Sequence, residues 1–218
     1  MRRSARLPLE QLQPFLWSLP PREDLNTPPE RIDWADLFGN DHPVEVEVGF
    51  GKGMFSLNAS QKCPEVNFFG IEIERKYQLF AANRIAKREL KNVRLACQDA
   101  RMMLRDYVAS DSIQGLHVYF PDPWWKKRHH KRRVFTDEFA RDAERILRPE
   151  GILYVVSDVE EYFEIMEELI STETQLQELP PPKANEPEHD LDYLTNFERK
   201  FRKEGRPIHR ARYAKGSS

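Results

Sequence analysis

The chain has 218 residues, 39% of them hydrophobic, and a formal net charge of −2. That is apolar material for one core, and the near-neutral balance excludes a chain that is basic throughout, so any nucleic-acid contact has to be a local patch. Cys63 and Cys97 are too few for a disulfide framework and lack metal-ligand spacing, no segment approaches a membrane span, and no apolar run of signal-peptide length follows Arg2, Arg3 and Arg6, so a cytoplasmic, metal-free protein is expected.

Residues 1–43 are rich in proline, arginine and short apolar clusters, and read as an N-terminal arm ordered in part by packing through Phe15, Trp17, Trp34 and Phe38. From Val44 onward (44–218 as one domain) strands and helices alternate. Short apolar runs rich in β-branched and aromatic residues predict strands at 44–49, 67–73, 93–98, 116–121 and 151–157. Helical stretches are predicted at 53–61, 75–89, 100–108, 136–147 and 159–171. The alternation implies an α/β fold, a mostly parallel central sheet with helices on both faces. The prolines of 179–189 read as a loop, 190–201 as a short helix and 207–213 as a returning strand. There is no internal repeat.

In open sheets of this kind ligands bind beyond the carboxyl ends of the strands, so the residues there are the candidates. The first strand ends in Glu47-Val48-Gly49-Phe50-Gly51-Lys52-Gly53. Its glycines allow tight turns and close approach of a ligand, but Met54 stands where the dinucleotide fingerprint needs its third glycine, which points away from a pyrophosphate cradle. Glu72 lies 23 positions after Gly49, the place of an acid that reaches ribose hydroxyls. Asp99, before Ala100, either accepts from a purine amino group or caps a helix. Asp158 ends the fifth strand, and Asp122 follows the fourth. Carboxylates at five successive strand ends exceed what capping alone explains.

Asp122 sits in the run from Tyr119 to Val134, YFPDPWWKKRHHKRRV. It is held between Pro121 and Pro123, followed by Trp124 and Trp125, and then by six Lys/Arg and two His in the eight residues from Lys126 to Arg133. A rigid acidic turn with aromatic faces beside a cationic run suits a purine base and its phosphates. The tail from Arg199 to Lys215 carries eight basic residues against Glu204 alone, while 158–192 holds twelve acids and one lysine. Solvated faces are the plain alternative for such runs.

Taken together, E-V-G-F-G-K-G at 47–53, G-I-E at 70–72, D-A at 99–100, F-P-D-P-W at 120–124 with its basic run, S-D at 157–158 and T-N-F-E at 195–198 resemble the class I S-adenosylmethionine-dependent methyltransferases, and more closely the bacterial tRNA (guanine-N7)-methyltransferases. The resemblance covers about residue 30 to about 205. It implies a Rossmann-like class I methyltransferase fold, S-adenosylmethionine as cofactor, tRNA as partner, and 7-methylguanosine in the variable loop as product. It also implies that Glu47, Gly49, Gly51, Gly53, Glu72, Asp99, Ala100 and Asp122 line the cofactor pocket, with Asp122 catalytic as well. Lys126, Asp158, Thr195, Asn196, Phe197 and Glu198 would meet the target guanine. Lys127, Arg128, Lys131, Arg132 and Arg133 are expected on the RNA backbone; Trp125, the first thirty residues, the tail beyond Gly205 and the oligomeric state are left without an assignment.

The chemistry agrees. Guanine N7 has an in-plane lone pair and reacts without losing a proton, so no general base is needed and none of Ser/His/Asp type is evident. Three rivals stand beside this reading. A methyltransferase acting on an exocyclic nitrogen would show a second proline where Trp124 is. A silent RNA-binding protein would retain the fold without turnover. A nicotinamide dehydrogenase is disfavoured by the glycine spacing.

Overall fold

The computed structural model describes residues 6–21, 24, 27–180 and 195–217, and leaves the side chains of Lys127 and Asn196 undescribed. Most of the loop expected at 179–189, and the first part of the helix expected at 190–201, lie outside these residues. The strands are β1 (Leu16–Trp17), β2 (Val44–Val48), β3 (Asn67–Glu72), β4 (Val93–Cys97), β5 (Ile113–Tyr119), β6 (Leu147–Ser157), β7 (Gln177–Leu179) and β8 (His209–Ala214). They form a single sheet in the order β1-β4-β3-β2-β5-β6-β8-β7. All pairings are parallel except the two that β8 makes. From β2 the chain winds outward to β4, then returns to place β5 on the other side of β2. The crevice between the ends of β2 and β5 is therefore the switch point.

Two apolar layers enclose the sheet. On one face α3 (Met54–Lys62), α4 (Arg75–Ala86) and α8 (Asn196–Lys203) pack on Phe68, Leu95, Tyr119 and Val156. On the other, α2 (Trp34–Phe38), α6 (Asp137–Ile146) and α7 (Glu160–Glu173) cover Val46, Phe69, Ile71 and Val118. Strand residues two apart point to the same face, which is why Phe68 and Phe69 belong to different layers. The start of the chain joins this frame. After α1 (Leu9–Leu12), Leu16 and Trp17 extend the sheet beside Leu95 and Ala96. Trp17 meets Phe69 and Tyr107 edge-on at 5.8 and 5.9 Å, and Trp34 meets Phe69 at 5.3 Å.

The predicted boundaries move where contacts from elsewhere intervene. The helix expected at 100–108 is α-helical only over α5 (Ala100–Met102), then widens into a π turn at Met103–Tyr107. The carbonyls freed there are claimed by arginines: Arg145 donates to Leu104 O (2.6 Å) and Val108 O (3.0 Å), and Arg31 also reaches Val108 O at 3.0 Å. Helix α4 stops at Ala86 rather than 89, because Glu89 turns to φ +53°. Strand β7, with its polar Gln177 and Glu178, carries no apolar alternation to read.

Gly53 joins loop to helix at φ +65°, and a Cβ there would lie 2.7 Å from Ala81 Cβ on α4. Gly53→Ala therefore combines left-handed strain with overpacking and is expected to cost about 2–4 kcal/mol, read as a lowered urea midpoint. A midpoint equal to wild type would show that α4 yields freely.

Candidate active site

The glycine loop is pinned from beneath. Glu47, 4% exposed, accepts from the Ser56 backbone N–H at 3.2 Å and from the Ser56 hydroxyl. It thus braces the first turn of α3 across the loop. Burial pushes its carboxyl up to about 7, against the Ser56 hydrogen bonds that favour the charged form and with a further push from Glu72. The stabilisation this group contributes is therefore complete below its ordinary value of 4.5 and is lost as pH rises through about 7. The loss is on the order of 3 kcal/mol. Glu47→Gln keeps an acceptor for Ser56 and lacks the charge, so its unfolding free energy should fall less between about pH 5 and 8. Equal slopes for the two proteins would refute this.

Glu72 holds the loop from the side. Its Oε2 accepts Gly51 N–H at 2.9 Å and its Oε1 accepts Glu74 N–H at 3.0 Å. Each oxygen retains a lone pair for an outside donor. Gly49 and Gly51 have φ +74° and +52°, and a Cβ on either would meet nothing within 4 Å. The loop thus borders open space that a ligand can approach closely. Ile73, next to Glu72, is 68% exposed. The sequence reading gave this residue no role, because exposure cannot be read from one residue. Asp99 caps α5 through Arg101 N–H at 2.8 Å and pairs with the Arg101 guanidinium at 3.2 Å. Burial would raise its pKa, but the Arg101 contacts outweigh this and hold it below the usual range. The capping alternative is thus realised at Asp99, beside Ala100.

Asp122 projects from a turn under backbone strain. Phe120 has φ +52° and Trp124 φ +45°, a region that non-glycine residues seldom occupy and that the proline after Phe120 makes costlier. Strain of this kind persists where the surroundings hold it. Phe120 N–H is tied to Val156 O at 2.7 Å, and Arg133 Nε donates to Pro123 O at 2.7 Å while its guanidinium covers the Tyr162 ring at 5.0 Å. Asp122 itself is exposed, and no described residue donates a hydrogen bond to it.

Helix α8 reaches the same turn. Thr195 caps it by accepting Glu198 N–H at 3.0 Å. Phe197 and Phe201 lie 6.1 and 5.4 Å from Phe120, ring to ring, and Phe197 remains 48% exposed. The Glu198 carboxylate is turned inward, 5% exposed, with Arg202 at 2.9 Å and Arg210 of β8 at 2.6 Å. Asp158 pairs with Arg206 at 2.8 Å. The structure therefore packs α8 against Phe120, two residues before Asp122, and shows Asp158 and Glu198 compensated by arginines.

The basic run forms a 3₁₀ turn over 127–132. Arg132 stacks on Trp124 at 5.0 Å, His129 meets Trp124 edge-on at 5.8 Å, and Arg101 donates to Lys131 O at 3.2 Å. Lys126, Arg128, Lys131, Arg132 and Trp125 are exposed; Arg133 is half-buried in the brace just described. The sequence reading also missed a buried polar chain beneath the crevice: Tyr119 hydroxyl to His117 Nδ1 (2.6 Å), His117 Nε2 to Glu45 (2.8 Å), and Glu45 to Gln114 (3.0 Å). Burial raises the Glu45 pKa and its His117 and Gln114 partners lower it, the partners prevailing. The alternation of Glu45 with Glu47 and of His117 with Tyr119 was its only sequence signal. Among the described residues no group of three or more His, Cys, Asp or Glu could hold a metal ion, and no helix is long and apolar enough to cross a membrane.

The family described as "Putative methyltransferase" matches residues 41–211. A tRNA (guanine-N(7)-)-methyltransferase of Rhodopirellula baltica is 44% identical, over 99% of this chain and 80% of its own length. One of Vibrio parahaemolyticus is 35% identical over 84% of this chain and 77% of its own length. Among solved structures, the 16S rRNA methyltransferase KamB aligns with TM-score 0.58 at 15% identity, covering 80% of this chain and 88% of its own. The [4+2]-cyclase SpnF aligns equally well, with TM-score 0.58 at 14% identity over 84% of this chain and 81% of its own, so the fold by itself does not choose the reaction. The motifs, the sheet order and the near full-length identity agree: the chain belongs to the tRNA (guanine-N7)-methyltransferase family.

Proposed function

We propose that this protein transfers the methyl group of S-adenosylmethionine to N7 of a guanosine in the variable loop of tRNA. The observation that carries this reading is the meeting, at one switch-point crevice, of a glycine loop bordering open space, a ribose-type acid in Glu72 and the strained Asp122 turn with α8 beside it. The residues fit the cofactor. The bare faces of Gly49 and Gly51 leave room for a close approach, Glu72 keeps acceptor capacity for ribose hydroxyls, and Ile73 offers an apolar support for the adenine. When bound, S-adenosylmethionine supplies an electrophilic methyl group on a positively charged sulfur. Glu47 acts through Ser56 by holding the loop in shape, and Asp99 and Ala100 close the adenine end.

Around the guanine, the exposed Phe197 ring beside Phe120 is a stacking face. Asp122 stands where the ring gains positive charge as N7 is alkylated, and a fixed carboxylate there stabilises that charge. Asp158 and Glu198, held by Arg206, Arg202 and Arg210, fix the position of α8 and its loop and present their remaining lone pairs to the guanine N–H groups; Thr195 and Asn196 begin the helix, and Lys126 extends the site toward the phosphates. Holding N7 in line with the methyl group contributes up to about 7–11 kcal/mol in favourable cases. Exposed Arg128, Lys131 and Arg132, with Lys127, face the RNA backbone. N7 in A-form RNA is hidden in the deep groove, so the target comes from a loop or an opened tertiary pair. A tRNA substrate puts the protein in the cytoplasm.

The test is methyl transfer from labelled S-adenosylmethionine to an unmodified tRNA transcript, followed by nucleoside analysis. The expected product is 7-methylguanosine from the variable loop. A different methylated nucleoside overturns the base assignment, and bound cofactor without product on any tRNA favours a silent binding protein.

A further inference from the structure

Helix α8 ends in a turn that its sequence prescribes. Gly205 takes the left-handed conformation, φ +66°, and its N–H donates to Arg202 O at 3.1 Å, while the next N–H, that of Arg206, donates to Phe201 O at 2.9 Å. In this glycine-terminated helix ending the residue after the glycine folds back over the last turn, a contact that apolar side chains commonly make. Here Arg206 makes it, its guanidinium lying over the Phe201 ring at 4.4 Å, and Pro207 restricts the backbone at the exit. From this fixed seat Arg206 reaches Asp158, at the end of β6, at 2.8 Å. The Asp158 side chain is covered, 11% exposed, while that of Arg206 is 43% exposed. Phe201 in turn stacks with the exposed Phe197 at 6.0 Å, and both rings lie against Phe120. Direct contacts thus connect the ion pair to the ring face beside the Asp122 turn.

Stability gives little reason for an arginine at this position. An ion pair partly open to water contributes little, and an apolar side chain would serve the helix ending. What the pair does present is a donor beside an acceptor: the bond to Asp158 engages one of several guanidinium N–H groups and one of the two carboxylate oxygens. Guanine carries the complementary edge, with O6 accepting and the adjoining N1–H donating. Adenine carries the reverse, an amino donor next to a ring acceptor, which sets donor against donor and acceptor against acceptor. We propose that Arg206 is a specificity-determining residue that selects guanine together with Asp158, donating to O6 while the carboxylate accepts from N1–H and the base stacks on Phe197. This rests on the tRNA reading above, and it gives a role to a residue of the tail beyond Gly205.

The experiment is single-turnover methylation, by the full chain, of tRNA transcripts carrying guanine or 2,6-diaminopurine at the target position. The analogue keeps N7 and the 2-amino group, but has an amino donor in place of O6 and a bare acceptor in place of N1–H. Wild type is expected to prefer guanine by roughly tenfold or more, because the analogue leaves the polar groups of the site unpaired. Arg206→Met keeps an apolar contact on Phe201 and is expected to shrink that preference about tenfold, through slower reaction of guanine. Arg206→Lys keeps the charge without the planar fork and should fall between. The affinity for tRNA and the slope of log K against log salt stay at wild-type values in both. Equal losses on the two bases, with the preference unchanged, would make Arg206 a structural residue only. A shallower salt slope with the preference unchanged would make it a phosphate contact. Either result, or a wild type that accepts both bases equally, overturns the proposal and leaves the tRNA reading standing. Wild-type protein that forms no 7-methylguanosine on the guanine transcript overturns that reading and the proposal together.

Discussion

Asp122→Asn is expected to lower the single-turnover rate of methyl transfer to tRNA by roughly 10²–10³-fold, the range for removing one preorganised electrostatic group from a reacting centre. The substitution keeps the size of the side chain and the two flanking prolines, so the loss isolates charge. The turn is held rigidly: Phe120 and Trp124 have positive φ at its two ends, Arg133 locks the Pro123 carbonyl at 2.7 Å, and no described residue donates a hydrogen bond to the carboxylate. A single-turnover assay at saturating tRNA and cofactor separates chemistry from binding. A rate within a few-fold of wild type would remove Asp122 from the reaction. An intact rate at saturation with weakened cofactor binding would make it a cofactor ligand only.

Glu72→Ala is expected to weaken S-adenosylmethionine binding about 10²-fold or more, because two charge-assisted hydrogen bonds to ribose hydroxyls are each worth roughly 1.5–3 kcal/mol. The effect exceeds the direct contacts. Gly51 N–H and Glu74 N–H both end on this carboxylate, so its removal also releases the glycine loop. Glu72→Gln retains an acceptor oxygen and should recover part of the affinity. Titration calorimetry distinguishes the two variants; affinity within about twofold of wild type for Glu72→Ala would place the ribose elsewhere.

The site was legible to unequal depths. The placing of the glycine loop, Glu72 and the Asp122 turn at strand ends could be read directly, because tight turns, prolines and strand-end polar residues are local features. The partners of those residues could not. Asp99 reads equally as ligand or cap, and only the 2.8 Å contact with Arg101 N–H shows the cap. Glu198 reads as a group facing guanine, and that Arg202 and Arg210 hold its carboxylate in place is not legible in the T-N-F-E run. Arg133 reads as one phosphate contact among five, and the fold uses it to brace the turn through Pro123 and Tyr162. The π turn after α5 follows from arginines on α6 and before α2, beyond any local window.

By itself the sequence determined the strand and helix alternation, the polar residues at the carboxyl ends of the strands, the family, and the existence of a basic run beside an acidic turn. These depend on side-chain period, turn chemistry and residue type, all properties of neighbours along the chain. Only the tertiary structure decided which charges are spent on one another and which remain for ligands. His117 meets Glu45 across 72 positions, Gly51 meets Glu72 across 21, and Arg210 meets Glu198 across 12. Such pairings arise when sheet register and helix packing set side chains face to face, and strand register is fixed by burial of whole apolar faces, which no single segment contains.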